Sequence, residues 1–187
     1  MTQGRRGTIL AFSGSLRAQS FNTALLNAAV KHNSGRMHIE VFENLDTLPM
    51  YNQDHDHDDP PGEVVELRRR VAEAEGLLIV TPEHNASIPA ALKNALDWVS
   101  TQPAGGILVG KPTAIAGASP GAFGSARAQV ALRQILASIG ADVLAKPEVA
   151  VFHCHERVDE NGNVTDPMTL SLLNDLVEAL TARIPAA

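Results

Sequence analysis

A cluster of hydroxyl, amide and guanidinium groups follows the first apolar segment of the chain. Residues 13–22 read Ser-Gly-Ser-Leu-Arg-Ala-Gln-Ser-Phe-Asn, and their candidate donors are Ser13, Ser15, Arg17, Ser20 and Asn22. This segment runs into a predicted helix, whose first N–H groups are free and favour an anion. A terminal phosphate monoester would satisfy all of these groups. The alternative is that Ser20 only caps the helix and that Arg17 is solvated.

Two further polar segments each separate a predicted strand from a predicted helix. In Thr-Pro-Glu-His-Asn-Ala-Ser-Ile-Pro at 81–89, Glu83, Asn85 and main-chain N–H groups could bond the edge of a planar heterocycle. The alternative is a rigid turn in which Ser87 caps the next helix. Gly-Ala-Ser-Pro-Gly at 117–121 could let the backbone approach a flat ligand closely, or could be an ordinary turn.

Other suggestive clusters favour structural interpretations. Residues 55–59 read His-Asp-His-Asp-Asp in a polar loop, which indicates a solvated segment more than a metal site. His153-Cys154-His155 follows a strand, where alternation places the thiol on one face and both imidazoles on the other. Zinc sites ordinarily show four ligands at recognisable spacing. A Ser-His-Asp hydrolase stays open, although the chain has no G-x-S-x-G elbow. Neither the P-loop nor the G-x-G-x-x-G pattern is present, which disfavours the corresponding nucleotide sites.

The elements that must position these segments alternate between strand and helix. Apolar runs predict strands at 8–12, 77–80, 113–116 and 143–151, the last interrupted near Pro147, and two-residue alternation predicts a strand at 37–42. Helical periodicity predicts helices at 21–31, 63–75, 90–100, 125–139 and 167–184. Strands without clean alternation are typical of a parallel sheet buried on both faces. We therefore predict an α/β, flavodoxin-like three-layer sandwich with a five-stranded parallel sheet in the order 2-1-3-4-5, in a single domain over 1–187. In that order, ligands bind at the loops after strands 1, 3 and 4, which are the three polar segments.

The composition of the chain disfavours some classes of binding partner and indicates a compartment. The chain has 15 Lys and Arg against 21 Asp and Glu, a formal charge of −6, which disfavours a nucleic acid partner. No apolar run approaches the ~20 residues that span a bilayer, so no membrane association is expected. A single cysteine fits a reducing compartment and predicts a cytoplasmic protein.

Several of these motifs resemble the NAD(P)H-dependent FMN reductase family, which includes bacterial quinone, chromate and azo-dye reductases. The motifs are Gly14-Ser15-Leu16-Arg17 with Ser20-Phe21-Asn22, then Thr81-Pro82-Glu83-His84-Asn85 with Ser87-Ile88-Pro89 and the segment 92–98. The similarity extends through 117–129 and 132–136. It implies a flavodoxin-like fold, FMN held without a covalent bond, and a homodimer or homotetramer.

The resemblance also implies which residues hold the flavin. It places the FMN phosphate on Ser15, Arg17, Ser20 and Asn22, with Gln19 and Phe21 in the same loop. It places Pro82, Glu83, His84 and Asn85 beside the isoalloxazine and ribityl chain, and Ser119 on the far side. Backbone N–H groups near Ser119 could stabilise negative charge on the ring. The chain has His84 where the family usually has tyrosine, so an imidazolium could stand beside the flavin, or His84 could face solvent or another subunit.

The implied activity is a ping-pong oxidoreduction. NADPH or NADH reduces the flavin, and a quinone, free flavin or other small-molecule electron acceptor reoxidises it, with no catalytic acid or base and no metal assigned. The alternatives are a flavodoxin-like electron carrier and a non-redox FMN-binding protein. One compact anion loop predicts a preference for FMN over FAD. Trp98 falls off the apolar stripe of its helix, which predicts that another subunit covers it.

Overall fold

The fold is a parallel sheet between two helical layers, in a computed structural model that describes residues 7–33, 35, 37–57, 59–101 and 105–185. The strands are β1 (Thr8–Ser13), β2 (His38–Phe42), β3 (Gly76–Val80), β4 (Pro112–Ala118), β5 (Asp142–Val143) and β6 (Val149–Val151). The helices are α1 (Phe21–His32), α2 (Gly62–Glu73), α3 (Ala90–Ser100), α4 (Ala126–Ser138) and α5 (Pro167–Arg183).

The sheet order confirms the predicted topology. The strands run β2-β1-β3-β4-β5, and β6 also pairs with β4. All pairs are parallel, and β5 and β6 lie along opposite ends of β4. The interrupted fifth strand is therefore two short segments at one position of the sheet, separated by a stretch that contains Pro147. The fold is flavodoxin-like, as predicted.

Each face of the sheet has its own apolar core. Helices α1 and α5 cover one face, and helices α2, α3 and α4 cover the other. The centre of β3 is buried on both sides, which explains why its sequence is a continuous apolar run. In the described part of the chain, no helix is long and apolar enough to cross a membrane.

The interpretation of Trp98 as an interface residue is wrong. Its side chain is fully buried within this chain, and its indole N–H donates to the carbonyl of Pro49 at 2.8 Å. Asn94 anchors the same loop, because its amide oxygen accepts from the N–H of Tyr51 at 2.7 Å. The edge of the Tyr51 ring meets the indole, with 5.0 Å between ring centres. The long polar loop before α2 thus covers a side chain that periodicity alone assigned to a partner.

The two suggestive clusters outside the site have structural roles. Asp56 is buried in an ion pair with Arg68 at 2.6 Å. Burial raises the pKa of Asp56, but the bonds from Arg68 and from other donors outweigh it, so the net pKa is below its ordinary value. Asp58 of the same cluster lies outside the described residues. Cys154 is buried, and burial raises the pKa of its thiol to about 11. The neighbouring histidines are exposed, but the reason differs from the predicted strand alternation, because Cys154–Glu156 forms a 3-10 turn after β6.

Candidate functional site

A cleft of about 580 Å³ lies at the carboxyl ends of β1, β3 and β4. Nine of the residues predicted for the site line it: Ser15, Arg17, Ser20, Phe21, Asn22, Pro82, Glu83, His84 and Ser119. Gln19 and Asn85, which were also predicted, are not among its lining residues. The sheet order accounts for the position, because the loops that follow these three strands meet at one edge of the sheet.

The N-terminus of α1 points into this cleft without an acidic residue in its first turn. The Ser20 hydroxyl oxygen accepts hydrogen bonds from the N–H groups of Asn22 at 3.1 Å and Thr23 at 3.3 Å. The predicted capping role of Ser20 is therefore confirmed, and its hydroxyl hydrogen remains available to a ligand. Arg17 lies exposed beside this helix end, with its guanidinium 5.1 Å from the centre of the Phe21 ring. The loop therefore presents a positive charge, a helix end and hydroxyl groups on one side.

A second helix end faces the same cleft. Helix α3 follows Pro89, has no side-chain cap and has no acidic residue in its first turn. Ala90 and Ala91 line the cleft at this end. The prediction that Ser87 caps this helix is wrong, because Ser87 instead exchanges two backbone hydrogen bonds of 2.9 Å with His84. The partial positive charges of α1 and α3 thus converge on one cavity, an arrangement that attracts anions.

Glu83 lines the cleft, but its carboxylate binds the N-terminus of α4. It accepts from the backbone N–H groups of Arg127 at 3.1 Å and Ala128 at 3.3 Å, and from the Arg127 guanidinium at 2.6 Å. Burial raises the pKa of Glu83, and these bonds lower it further than burial raises it, so the net pKa is below its ordinary value. The predicted bond from Glu83 to a heterocycle is therefore corrected. Glu83 fixes the loop after β3 to the start of α4.

Asn22 ties α1 to the end of β4. Its amide nitrogen donates to the carbonyl of Ala118 at 3.1 Å, and its amide oxygen accepts from the N–H of the same residue at 2.8 Å. Both groups are buried, so this pair fixes the distance between the first and third loops of the cleft. One N–H of the amide remains for a ligand, and the predicted phosphate contact stays a prediction.

The loop after β4 uses two of its N–H groups internally. The N–H of Ser119 donates to the carbonyl of Val151 at 3.0 Å, and the N–H of Gly121 donates to the Ser119 hydroxyl oxygen at 3.2 Å. The prediction that backbone N–H groups near Ser119 stabilise charge on a ligand is therefore wrong for these two groups. The Ser119 hydroxyl hydrogen is the donor that this residue can direct into the cleft.

Gly117 is required by the protein itself and not by close approach of a ligand. A Cβ atom at this position would lie 2.1 Å from the hydroxyl oxygen of Ser125 and 2.3 Å from the carbonyl oxygen of Thr81. The glycine of this loop therefore lets β4, the end of β3 and the start of α4 pack together. Of the two interpretations that the sequence left open for this loop, close approach of a flat ligand therefore does not account for Gly117.

The tip of the second loop is a tight turn that holds His84 at the cleft. Asn85 and Ala86 both have positive φ values, 51° and 62°, a region that residues other than glycine adopt infrequently. His84 and Asn85 are both exposed, but of the two only His84 lines the cleft. The predicted place of His84 beside a ligand is compatible with this geometry, and that of Asn85 lacks support from it.

A second cavity of about 510 Å³ adjoins the first and shares Arg17, Ser20 and Phe21 with it. Gln19 lines this second cavity. Sequence reasoning missed both this cavity and the contribution of α3. The helical end could have been inferred from an apolar helix that follows proline without an acidic cap. The second cavity depends on a turn more than 130 residues away from Gln19, and the local sequence carries no signal for it.

Across the described ranges, no group of three or more His, Cys, Asp or Glu side chains could hold a metal ion.

Comparison with known proteins places this geometry in context. The pattern of the NADPH-dependent FMN reductase family matches residues 8–156. A 2-hydroxy-1,4-benzoquinone reductase from Burkholderia is 40% identical over 170 residues, which cover 90% of this chain and 91% of that protein. A quinone reductase from Escherichia coli is 36% identical over 173 residues, with 91% and 92% covered. The structure of the flavoenzyme NAD(P)H:(acceptor) oxidoreductase FerB from Paracoccus denitrificans superposes with a TM-score of 0.85 at 34% identity, covering 95% of this chain and 97% of that one.

Proposed function

The chain belongs to the NADPH-dependent FMN reductase family, and we propose that it passes electrons from NAD(P)H through bound FMN to a quinone or another small oxidant. The observation that carries this proposal is the cleft itself. Two helix N-termini without acidic residues and the cation of Arg17 converge there, at the edge of the sheet where flavodoxin-like folds bind ligands. We further propose that residues 1–187 form a single flavin-binding domain.

The residues of the first loop fit the phosphate of FMN. The dianion would take the place of the acidic residue that the N-terminus of α1 lacks. By contrast, the N-termini of α4 and α5 are each supplied with a carboxylate, from Glu83 and Asp166 respectively. We therefore assign Arg17 and the hydroxyl groups of Ser15 and Ser20 to the phosphate. In each of these contacts the phosphate acceptor is charged, and such hydrogen bonds are about twice as strong as bonds between neutral groups.

The remaining walls fit a flat ring system that is open on one face. Pro82, His84 and Ser119 line the cleft beyond the phosphate loop, and Pro89 with the start of α3 closes its floor. Phe21 provides the only benzene-type ring among the described lining residues. An electron carrier commonly shields its flavin with aromatic rings, whereas this cleft leaves a face accessible to a hydride donor and then to an acceptor. The geometry therefore favours the reductase over the carrier.

FMN, when bound, would supply the acceptance and release of hydride, and the protein would need only to orient the ring and shield it from water. Arg17 and the end of α1 hold the phosphate, and this fixes the ring relative to the sheet edge. The Glu83–Arg127 pair and the Asn22–Ala118 pair hold the three loops at constant spacing. His84 stands at the mouth, where its ring can meet a nicotinamide nucleotide or an oxidant. No side chain of the cleft is required as a catalytic acid or base.

We propose that the protein is a homodimer or homotetramer, but Trp98 no longer supports this. The better support is two exposed aromatic side chains in the segments that follow β4 and β6. Phe123 and Phe152 have 65% and 46% of their surface exposed, and each lies under an arginine side chain, Arg127 and Arg157 respectively. Large exposed apolar groups of this kind are typical of an interaction surface. We also propose a cytoplasmic location, which rests on the single, unpaired cysteine.

Initial-rate kinetics test the proposed function. The full chain loaded with FMN is assayed with NADPH and with NADH at several fixed concentrations of benzoquinone. The proposal predicts parallel double-reciprocal lines, because the donor leaves before the acceptor binds. A protein that binds FMN but does not oxidise either nicotinamide nucleotide would be an electron carrier, and the proposal would be wrong.

A further inference from the structure

The second cavity begins where the phosphate of FMN would end. It lies between the outer face of α1 and the turn at 158–162, and its volume of about 510 Å³ is within the range of small-molecule sites. Arg17, Ser20 and Phe21 line both cavities. The two cavities therefore adjoin at the loop to which we assign the phosphate of FMN, and a group esterified to the phosphate would point towards the second cavity.

The walls of the second cavity suit a nucleoside more than a simple anion. Ala24 and Val158 provide apolar surface, and Gln19, Asn27 and Asn161 provide side-chain amides. Asparagine and glutamine amides match the adjacent donor and acceptor of adenine, N6 and N7. The cavity thus combines apolar surface with amide groups of the kind that recognise this base.

The charges of the second cavity are mixed. Arg17 and His155 line it at one end, and Asp159 and Glu160 line it at the turn. The carboxylate of Asp159 is engaged by its own turn, because it accepts from the N–H groups of Asn161 at 3.0 Å and Asn163 at 2.8 Å. Glu160 is exposed and is the carboxylate that opposes an anionic ligand here. A pyrophosphate is therefore best placed at the Arg17 end, with the nucleoside towards the turn.

We propose that the second cavity binds the adenylate half of FAD, so that the protein accepts FAD as well as FMN. The riboflavin phosphate occupies the first cavity in both cases, and Arg17 contacts the linkage between the two halves. This inference rests on the proposed function and replaces the sequence-based expectation that FMN is preferred. It also gives Gln19 a place, because Gln19 lines the second cavity beside the adenylate.

Calorimetric titration of the flavin-free full chain with riboflavin, FMN and FAD tests the proposal. The proposal predicts a Kd for FAD no more than about threefold above that for FMN, a difference of about 0.7 kcal/mol. A Kd for FAD more than about threefold above that for FMN, in protein that does bind FMN, would overturn the proposal. That result is expected if a second copy of the chain or bulk solvent occupies the second cavity. If neither FMN nor FAD binds, the proposed function fails as well, so the two failures are distinguishable.

A matched pair of variants locates the effect. Asn27→Trp fills the second cavity from α1, and Gln134→Trp makes the same change of side-chain type at an exposed position of α4 that lines neither cavity. Asn27→Trp is expected to weaken FAD about 10-fold or more and to leave FMN within about twofold, and Gln134→Trp to change neither. Equal losses for FMN and FAD in Asn27→Trp would overturn the proposal.

A third variant needs no added volume and keeps the test decisive if Asn27→Trp fails to fold. Glu160→Gln removes the opposing carboxylate from the cavity wall. The ratio of the FAD Kd to the FMN Kd is expected to fall, and a ratio equal to that of the unaltered protein would contradict the placement.

Discussion

Replacing Arg17 with alanine removes the one full positive charge that we assign to the flavin phosphate. Its guanidinium rests 5.1 Å from the centre of the Phe21 ring, beside a helix N-terminus that has no acidic residue in its first turn. A hydrogen bond between charged groups contributes about 1.5–3 kcal/mol. Since about 1.4 kcal/mol corresponds to a tenfold change in affinity, we expect Arg17→Ala to weaken FMN binding about 10- to 100-fold. Arg17 is exposed, so solvent screening favours the lower part of that range at physiological salt.

The assay is calorimetric titration of flavin-free protein with FMN and with riboflavin at two ionic strengths. Riboflavin lacks the phosphate, so its affinity is expected to remain within about twofold of that of the unaltered protein. Lys31→Ala is the control, because it removes an exposed cation from the last turn of the same helix. Added salt should weaken FMN in the unaltered protein more than in Arg17→Ala. Equal losses for FMN and riboflavin would show that Arg17 acts through folding, and the phosphate assignment would be refuted.

Three further changes test other parts of the site. Gly117→Ala places a methyl group 2.1 Å from a side-chain oxygen, so thermal unfolding is expected to show that the protein loses about 2 kcal/mol or more of stability. Gly62→Ala is the control and is expected to lose no stability, because no atom lies within 4 Å of the added methyl group. Equal stability of the two variants would contradict the packing at Gly117. Glu83→Gln removes the charge at the start of α4 and is expected to cost about 1 kcal/mol at neutral pH. Because the pKa of Glu83 is lowered in the folded protein, the stabilisation by its carboxylate is present above pH 4.5, the ordinary pKa, and is lost as the pH falls through the lowered pKa. The unfolding curves of Glu83→Gln and of the unaltered protein should therefore converge in acid. A difference in stability that stays constant with pH would refute the assignment. His84→Tyr is expected to change the KM for quinone while FMN remains bound, because His84 is exposed and lines the cleft. An unchanged KM would contradict its place at the mouth of the cleft.

The sequence was sufficient for the fold because local pattern and topology agree. Apolar runs without two-residue alternation predicted a parallel sheet that is covered on both faces, and five strands that alternate with helices predicted the order that the structure has. The position of the site followed from the same order, because the loops after strands 1, 3 and 4 must share an edge. Helix ends were predicted to within a few residues, since glycine and proline mark most of them.

The sequence could not give the partners of individual side chains. The carboxylate of Glu83 is committed to Arg127, which lies 44 residues further along the chain, and no local pattern reveals that pairing. Trp98 was assigned to an interface because helical periodicity does not show that the loop at Pro49 covers it. The N–H of Ser119 bonds to the sixth strand, which the sequence showed only as the end of an interrupted one. In each case the deciding contact joins distant segments, and only the tertiary structure supplies it.

The most direct test of the proposed activity follows the visible absorbance of the flavin through one cycle without oxygen. The full chain loaded with FMN is mixed with a small excess of NADPH, and benzoquinone is added after the absorbance has settled. We predict loss of the oxidised flavin spectrum on mixing and its full return with quinone, with both steps at least as fast as steady-state turnover. Bound FMN that keeps its oxidised spectrum in the presence of both NADPH and NADH would contradict the account.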